Sequence, residues 1–199
     1  RRLTCKTSHG FEVIQFAENV LEVELYPWQK WMLIHALELN PDGRYRFRTV
    51  VLLVGRQNGK STLLQVWALW RMYMDRAPLV IGTAQNLDVA EEQWAAAVDM
   101  AETNDELSEE IKDVKRTNGK YALELTGGER YKVAAASRKG GRGLSGDLII
   151  MDELREHTNW ESWSAVTKTT MARFSPQVVC ASNAGDASSV VLSTLRNGC

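Results

Sequence analysis

The chain has 199 residues, 44% hydrophobic and 25% charged, with a formal net charge of −1; that balance suits one globular domain burying roughly 70% of the surface its unfolded chain exposes, with no need of staples. So small a net charge excludes a polycation, and any nucleic-acid contact must be local. Cys5, Cys180 and Cys199 are widely spaced with no C-x-x-C pair and His9, His35 and His157 are scattered, which argues against a zinc site and for free thiols in a reducing compartment.

The opening RRLTCKTSHG has no apolar signal core, and no later stretch reaches the ~18 uninterrupted apolar residues of a membrane span. We therefore expect a soluble, intracellular protein with no membrane partner. The chain starts without Met and ends at TLRNGC without a capping signal, which leads us to expect an excised fragment forming one domain over 1–199. Residues 25–30, LYPWQK, set Gln29 beside Tyr26 and Trp28. A glutamine amide can pair with adenine N6 and N7 while an aromatic ring covers the base, provided a phosphate site exists elsewhere. The other reading is a Pro-initiated helix whose Trp28 and Trp31 anchor the core. RYRFR at 44–48 can face DNA or line a solvated strand edge.

Residues 50–54, VVLLV, lack the polar alternation of a half-solvated strand and read as a strand buried on both faces of a sheet. Residues 62 to about 74 form a buried helix. Between them, Gly59-Lys60-Ser61 ends the P-loop pattern G-x-x-x-x-G-K-[ST] in the strand, loop and helix context that motif needs. Gly55, Arg56, Gln57 and Asn58 lead into the tripeptide and Thr62 follows it. Backbone N–H groups of such a loop cradle phosphate oxygens at a helix N-terminus. Lys60 would reach the β- and γ-phosphates, and the Ser61 hydroxyl would ligate Mg2+. The pattern's first glycine belongs at 54, where the chain has Val54, with Gly55 one place later.

Further apolar runs at 79–82, 148–151 and 178–181, separated by helical stretches, predict a mostly parallel central sheet with helices on both faces, an α/β fold. Over 87–103, Ala90, Trp94, Ala97, Val98 and Ala101 recur at helical spacing opposite Glu91, Glu92 and Asp99, an amphipathic helix. YALELTGGERYKVAAAS reads as a peripheral β-hairpin turning at 126–129, the glycines supplying positive φ. The basic, glycine-rich SRKGGRGLSGD at 137–147 enters DLIIMDE at 147–153, a strand that delivers Asp152 and Glu153 to the sheet's carboxyl edge, where ligands bind in open α/β folds. Side chains alternate along a strand, so Asp152 can face the magnesium shell and Glu153 the attacking water; adjacent acids also serve as plain helix caps. VVCASNAG carries a strand, with Cys180 in the core, into Ser182 and Asn183. If that strand lies beside the P-loop strand, its polar tip would sense a γ-phosphate.

Taken in order, Tyr-Pro-Trp-Gln (26–29), Val-Gly-Arg-Gln-Asn-Gly-Lys-Ser (54–61), Leu-Ile-Ile-Met-Asp-Glu (148–153) and Ser-Asn-Ala-Gly (182–185) resemble the ATPase domain of tailed-bacteriophage terminase large subunits over nearly the whole chain. Arg56 is the most telling residue, because that family commonly shows R-Q-x-G-K-[ST] and commonly lacks the first glycine. The resemblance implies a P-loop NTPase fold of the additional-strand, RecA-like class, with the Ser182 strand beside the P-loop strand. It implies Mg2+-dependent ATP hydrolysis using Lys60 and Glu153, with Arg56 coupling turnover to movement. It further implies a homo-oligomeric ring, usually a pentamer, on a portal, a small terminase subunit, double-stranded DNA as cargo and the host cytoplasm as location. The nuclease domain of the family is absent from these residues, so no nuclease activity is expected. A strand rises ~3.3 Å per residue, so the loop before Leu148 starts at least roughly 13 Å from the phosphates. Arg142 there, rather than Arg138, resembles in its spacing to Glu153 the family's trans-acting arginine finger. A helicase-like DNA translocase is the alternative, since Gln before the P-loop and Asp-Glu after a strand occur there too. A nucleotide-gated binding module that hydrolyses nothing is a third reading.

Overall fold

The computed structural model describes residues 2–117, 120–135, 145–157 and 160–197. The segment 136–144, with Arg138, Lys139 and Arg142, lies outside the described residues, and so does the finger expected there. In chain order the elements are α1 (Gly10–Asn19), α2 (Pro27–Ala36), β1 (Thr49–Leu53), α3 (Lys60–Tyr73), β2 (Leu79–Thr83), α4 (Leu87–Thr103), the short α5 (Asp105–Ser108), β3 (Ile111–Lys115), β4 (Ala122–Leu125), β5 (Arg130–Val133), β6 (Leu148–Met151), a 3₁₀ turn over Leu154–Glu156, α6 (Trp160–Lys168), β7 (Gln177–Ser182) and α7 (Val190–Asn197).

One seven-stranded sheet runs β1-β7-β6-β2-β5-β4-β3. The pairs from β1 to β5 are parallel, and β5-β4 and β4-β3 are antiparallel. β7, although last in sequence, inserts between β1 and β6, with Val50 opposite Val179 and Ile150 opposite Val179 on the other side. Side-chain alternation divides the sheet's residues between two apolar layers. Val50, Leu52, Val80, Leu148, Ile150, Val179 and Ala181 face a core shared with Val13, Leu33, Trp67 and Trp94 from α1 to α4. Leu79, Ile81, Ile149, Met151, Val178 and Cys180 face the opposite core, closed by Leu154 and by Val191 and Leu192 of α7. Burial pushes the Cys180 thiol up, as suits a core residue rather than a reactive one.

The long apolar patterns appear as expected. α4 spans Leu87–Thr103 with all five stripe residues buried, and Asn86 caps it by accepting from the Asp88 N–H at 3.1 Å. β1 is the correction: it is the sheet's edge strand, and within the run 50–54 only Val50 and Leu52 are buried, Val51 and Val54 are half-buried and Leu53 is exposed. A continuous apolar run cannot distinguish a central strand from an edge strand whose second face is only partly covered, as Val51 of β1 is. The hairpin is present, with Gly128 at φ 95°, and β5 joins it to the parallel sheet through β2. β3 and α1 were not foreseen. β3 carries IKDVK, too charged to stand out, and α1 is fixed mainly by its contact with α2. Among the described residues no helix is long and apolar enough to cross a membrane.

The α1–α2 crossing is close enough that a β-carbon on Gly10 would lie 2.4 Å from the Ile34 backbone. Backbone cannot rotate away as a side-chain end can. Gly10→Ala is therefore expected to destabilise the protein by about 1–3 kcal/mol, the usual cost of overpacking, measured by urea unfolding; unchanged stability would show that the two helices separate freely.

Candidate functional site

The loop after β1 is shaped by backbone geometry. The Val54 N–H donates to the Ser182 carbonyl at 3.1 Å, the last ladder bond before the chain leaves the sheet. Gln57 at φ 58° and Gly59 at φ 78° then reverse it, so that α3 begins at Lys60. The first-turn N–H groups have no intrahelical partners, and the positive end of the helix dipole faces the same side. Gly59 is required twice over: its φ is left-handed, and a β-carbon there would lie 2.8 Å from Gln29 Nε2 and 3.1 Å from the Tyr26 ring.

Gln29 is 2% exposed. Its Oε1 accepts from the Tyr26 N–H at 2.7 Å, closing the N-terminus of α2, and its Nε2 donates to the Gly59 carbonyl at 2.8 Å. The amide expected at an adenine edge is thus engaged with backbone on both sides, and it braces the phosphate-type loop. Trp28, in the first turn of α2, packs against the core, as the Pro-initiated helix reading has it, but Trp31 is 61% exposed and anchors nothing there, and Tyr26, 56% exposed, leans over Gly59. From the other side, Gln93 of α4 donates to the Ser61 carbonyl at 2.7 Å. In the sequence, Gln93 is marked only as a polar residue inside the apolar stripe of α4.

Across the cleft, β6 ends at Met151 and delivers Asp152 and Glu153. Lys60 Nζ lies 3.1 Å from Asp152 Oδ1 and 3.1 Å from Glu153 Oε1, largely buried with them. The Asp152 N–H donates to the Thr83 carbonyl at 3.1 Å and the Glu153 N–H to Asp152 Oδ1 at 2.8 Å, so the two carboxylates are placed by backbone as well as by charge. Both acids meet on Lys60, where the strand alternation suggested separate targets, because Glu153 turns into a left-handed conformation and leaves the strand geometry. Ser182 is fully buried, and its Oγ accepts from the Arg155 N–H at 3.0 Å. Next to it, Asn183 is buried with its Oδ1 unpartnered.

These groups line one cleft of about 340 Å³, from Gly55 to Ser61 with Glu153, Arg155 and Asn183. The structure brings together Gly55, Arg56, Gln57, Asn58, Gly59, Lys60, Ser61, Glu153 and Asn183 there. Asp152 stands behind Lys60, Tyr26 and Gln29 brace the loop, and Thr62 continues α3. Arg56 is exposed at the cleft mouth. Arg155, which the sequence reading did not single out, is a wall of the cleft; its place two residues beyond the paired acids was the only sequence signal. Burial lowers the nearby His157 ring's proton affinity, which favours its neutral form.

No protein-family model and no curated protein sequence matches the chain. Solved structures do. The HK97 bacteriophage large terminase superposes with a TM-score of 0.79 over 96% of this chain at 24% sequence identity. The ATPase domain of the Thermus phage P74-26 large terminase gives 0.62 over 85% at 19%. The large terminase of a thermophilic bacteriophage in complex with ADP gives 0.52 over 88% at 9%. The chain spans 42%, 69% and 38% of those three chains respectively. The fold is thus the P-loop, RecA-like α/β fold of phage large-terminase ATPase domains.

Because the Gln29 amide holds Tyr26 and Gly59, Gln29→Ala strands two backbone groups. We expect a stability loss of about 1–3 kcal/mol in urea and an equal loss of affinity for adenine and guanine nucleotides. A loss confined to adenine nucleotides would return Gln29 to base recognition.

Proposed function

We propose that the chain is the ATPase domain of a terminase large subunit, hydrolysing ATP to drive double-stranded DNA into a viral procapsid. The observation that carries this reading is Lys60 of the P-loop held by Asp152 and Glu153 across the intervening strand β7. The ADP bound to the thermophilic phage's large terminase supports nucleotide in such a cleft.

The residues present fit ATP and magnesium. The left-handed Gly59 leaves open the backbone cradle at the start of α3, and the orphan Asn183 Oδ1 lies on the same cleft. Among the described residues no cluster of three His, Cys, Asp or Glu could hold a metal alone, which accords with magnesium's habit of keeping waters and using one or two protein ligands beside phosphates. Ser61 and Asp152 would hold it, and when bound it would neutralise charge on the phosphate oxygens. Lys60 would exchange its carboxylate partners for the β- and γ-phosphates. Glu153, released on Oε1, would accept a proton from the attacking water, a role worth about 10²–10⁴ in rate. Arg56 at the cleft mouth would couple the phosphate state to movement, and Ser182 and Asn183 at the tip of β7 would report it to the rest of the sheet.

Around this chemistry we place a homo-oligomeric ring, a pentamer, on a portal, with a small terminase subunit as partner and Arg142 of one subunit serving its neighbour's cleft. Duplex translocation without strand separation distinguishes this motor from a helicase-like translocase.

Lys60→Ala is expected to abolish both tight ATP binding and turnover, whereas Glu153→Gln binds ATP and loses turnover by about 10²–10⁴-fold. Hydrolysis by Glu153→Gln at the parent rate would sink the base assignment. Arg142→Ala and Glu153→Gln subunits, each inactive alone, should recover hydrolysis when co-assembled, since one supplies the finger and the other an intact pocket. If verified mixed rings recover none and Arg142→Ala alone turns over normally, the finger is another residue.

A further inference from the structure

Glu153 sits at φ 51° and ψ 48°, a left-handed conformation that strains a residue with a β-carbon and persists only where its surroundings hold it. The turn after it supplies the hold. Leu154 is fully buried, the Glu156 N–H donates to the Glu153 carbonyl at 2.9 Å, and the Arg155 N–H donates to Ser182 Oγ at 3.0 Å. Pinned by its backbone, Arg155 turns its side chain back, with Nε 3.0 Å from Glu153 Oε2 and 3.1 Å from Glu156 Oε1. The contact with Oε2 is one of charge and proximity, since the N–H is not aligned for a hydrogen bond. Glu153 therefore carries one cation on each oxygen, Lys60 on Oε1 and Arg155 on Oε2. Arg155 also walls a second cleft of about 230 Å³ whose other side is the segment of Gly185, Asp186 and Ser188 beyond β7.

If the ATPase reading holds, Lys60 is drawn to phosphates, and only one of these two cations can stay. A carboxylate on a flexible side chain then needs another anchor to remain aimed. We propose that Arg155 is a positioning residue for Glu153, holding Oε2 so that Oε1 meets the proton of the attacking water, and tying that aim through Ser182 to the tip of β7. The proton passes from water to Oε1; Arg155 keeps its own proton and contacts no reacting atom.

The test uses ATP turnover together with binding of a non-hydrolysable ATP analogue. Arg155→Ala should lower kcat by about 10²-fold, the cost of misplacing a reacting group by ~1 Å, while the Kd for the analogue stays within about twofold of the parent. Millimolar guanidinium should restore part of the turnover, and Arg155→Lys should retain more than Arg155→Gln, which a purely structural role would not produce. A crystal structure of Arg155→Ala with the analogue should show the Glu153 carboxylate displaced. Turnover of Arg155→Ala at the parent rate overturns the proposal, as does parallel loss of kcat and affinity without guanidinium rescue. Lys60→Ala judges the underlying reading separately. If its turnover matches the parent, both readings fall; if it is inactive while Arg155→Ala is normal, only the Arg155 assignment falls.

Discussion

The site depends on a separation. Because β7 lies between β1 and β6, the strand that feeds the P-loop and the strand that carries the carboxylates are two sheet spacings apart, roughly 9.6 Å. A shorter gap would close the cleft, and a wider one could not be bridged by a single side chain. Lys60 bridges it, starting at the first residue of α3 and ending between Asp152 and Glu153. Such a largely buried cation is tolerable because two carboxylates surround it, and removing one member of a buried pair typically costs about 3–5 kcal/mol. On the ATPase reading proposed above, the same arrangement would make Lys60 exchangeable, since a phosphate oxygen would offer it equivalent charge.

The helix that carries Lys60 is fastened at both ends. At its far end Arg71, buried, donates to Tyr45 Oη at 2.6 Å and to Asp75 Oδ2 at 2.5 Å, and its other nitrogen donates to the Asp147 carbonyl at 2.9 Å. Asp147 immediately precedes β6. Thus α3 is tied to the amino end of β6 through Arg71 and to its carboxyl end through Lys60, and it moves with the strand that delivers the carboxylates. Sideways, Gln29 of α2 and Gln93 of α4 hold the carbonyls of Gly59 and Ser61. The loop and α3 are thus held at once from α2, α4 and both ends of β6.

What the sequence by itself determined were features whose signal is local. A buried helix of 3.6-residue period showed in α4, an apolar strand ending in paired acids showed at Asp152 and Glu153, and a glycine before Lys60 between a strand and a helix showed the loop, because each pattern lies in one short window. Strand order is not local. That β7 inserts beside β1 is expected only through the family resemblance, and that β1 is an edge is not expected at all, because both depend on how side chains more than a hundred residues apart share a core, as Val50 and Val179 do. Gln29 and Arg155 belong to the same category. Their residue types permit many partners, and only the fold put the Gly59 carbonyl within reach of one and the Glu153 carboxylate beside the other. A polar side chain's role is decided by which unsatisfied group comes within about 3 Å of it, and that proximity exists only once the chain has closed on itself.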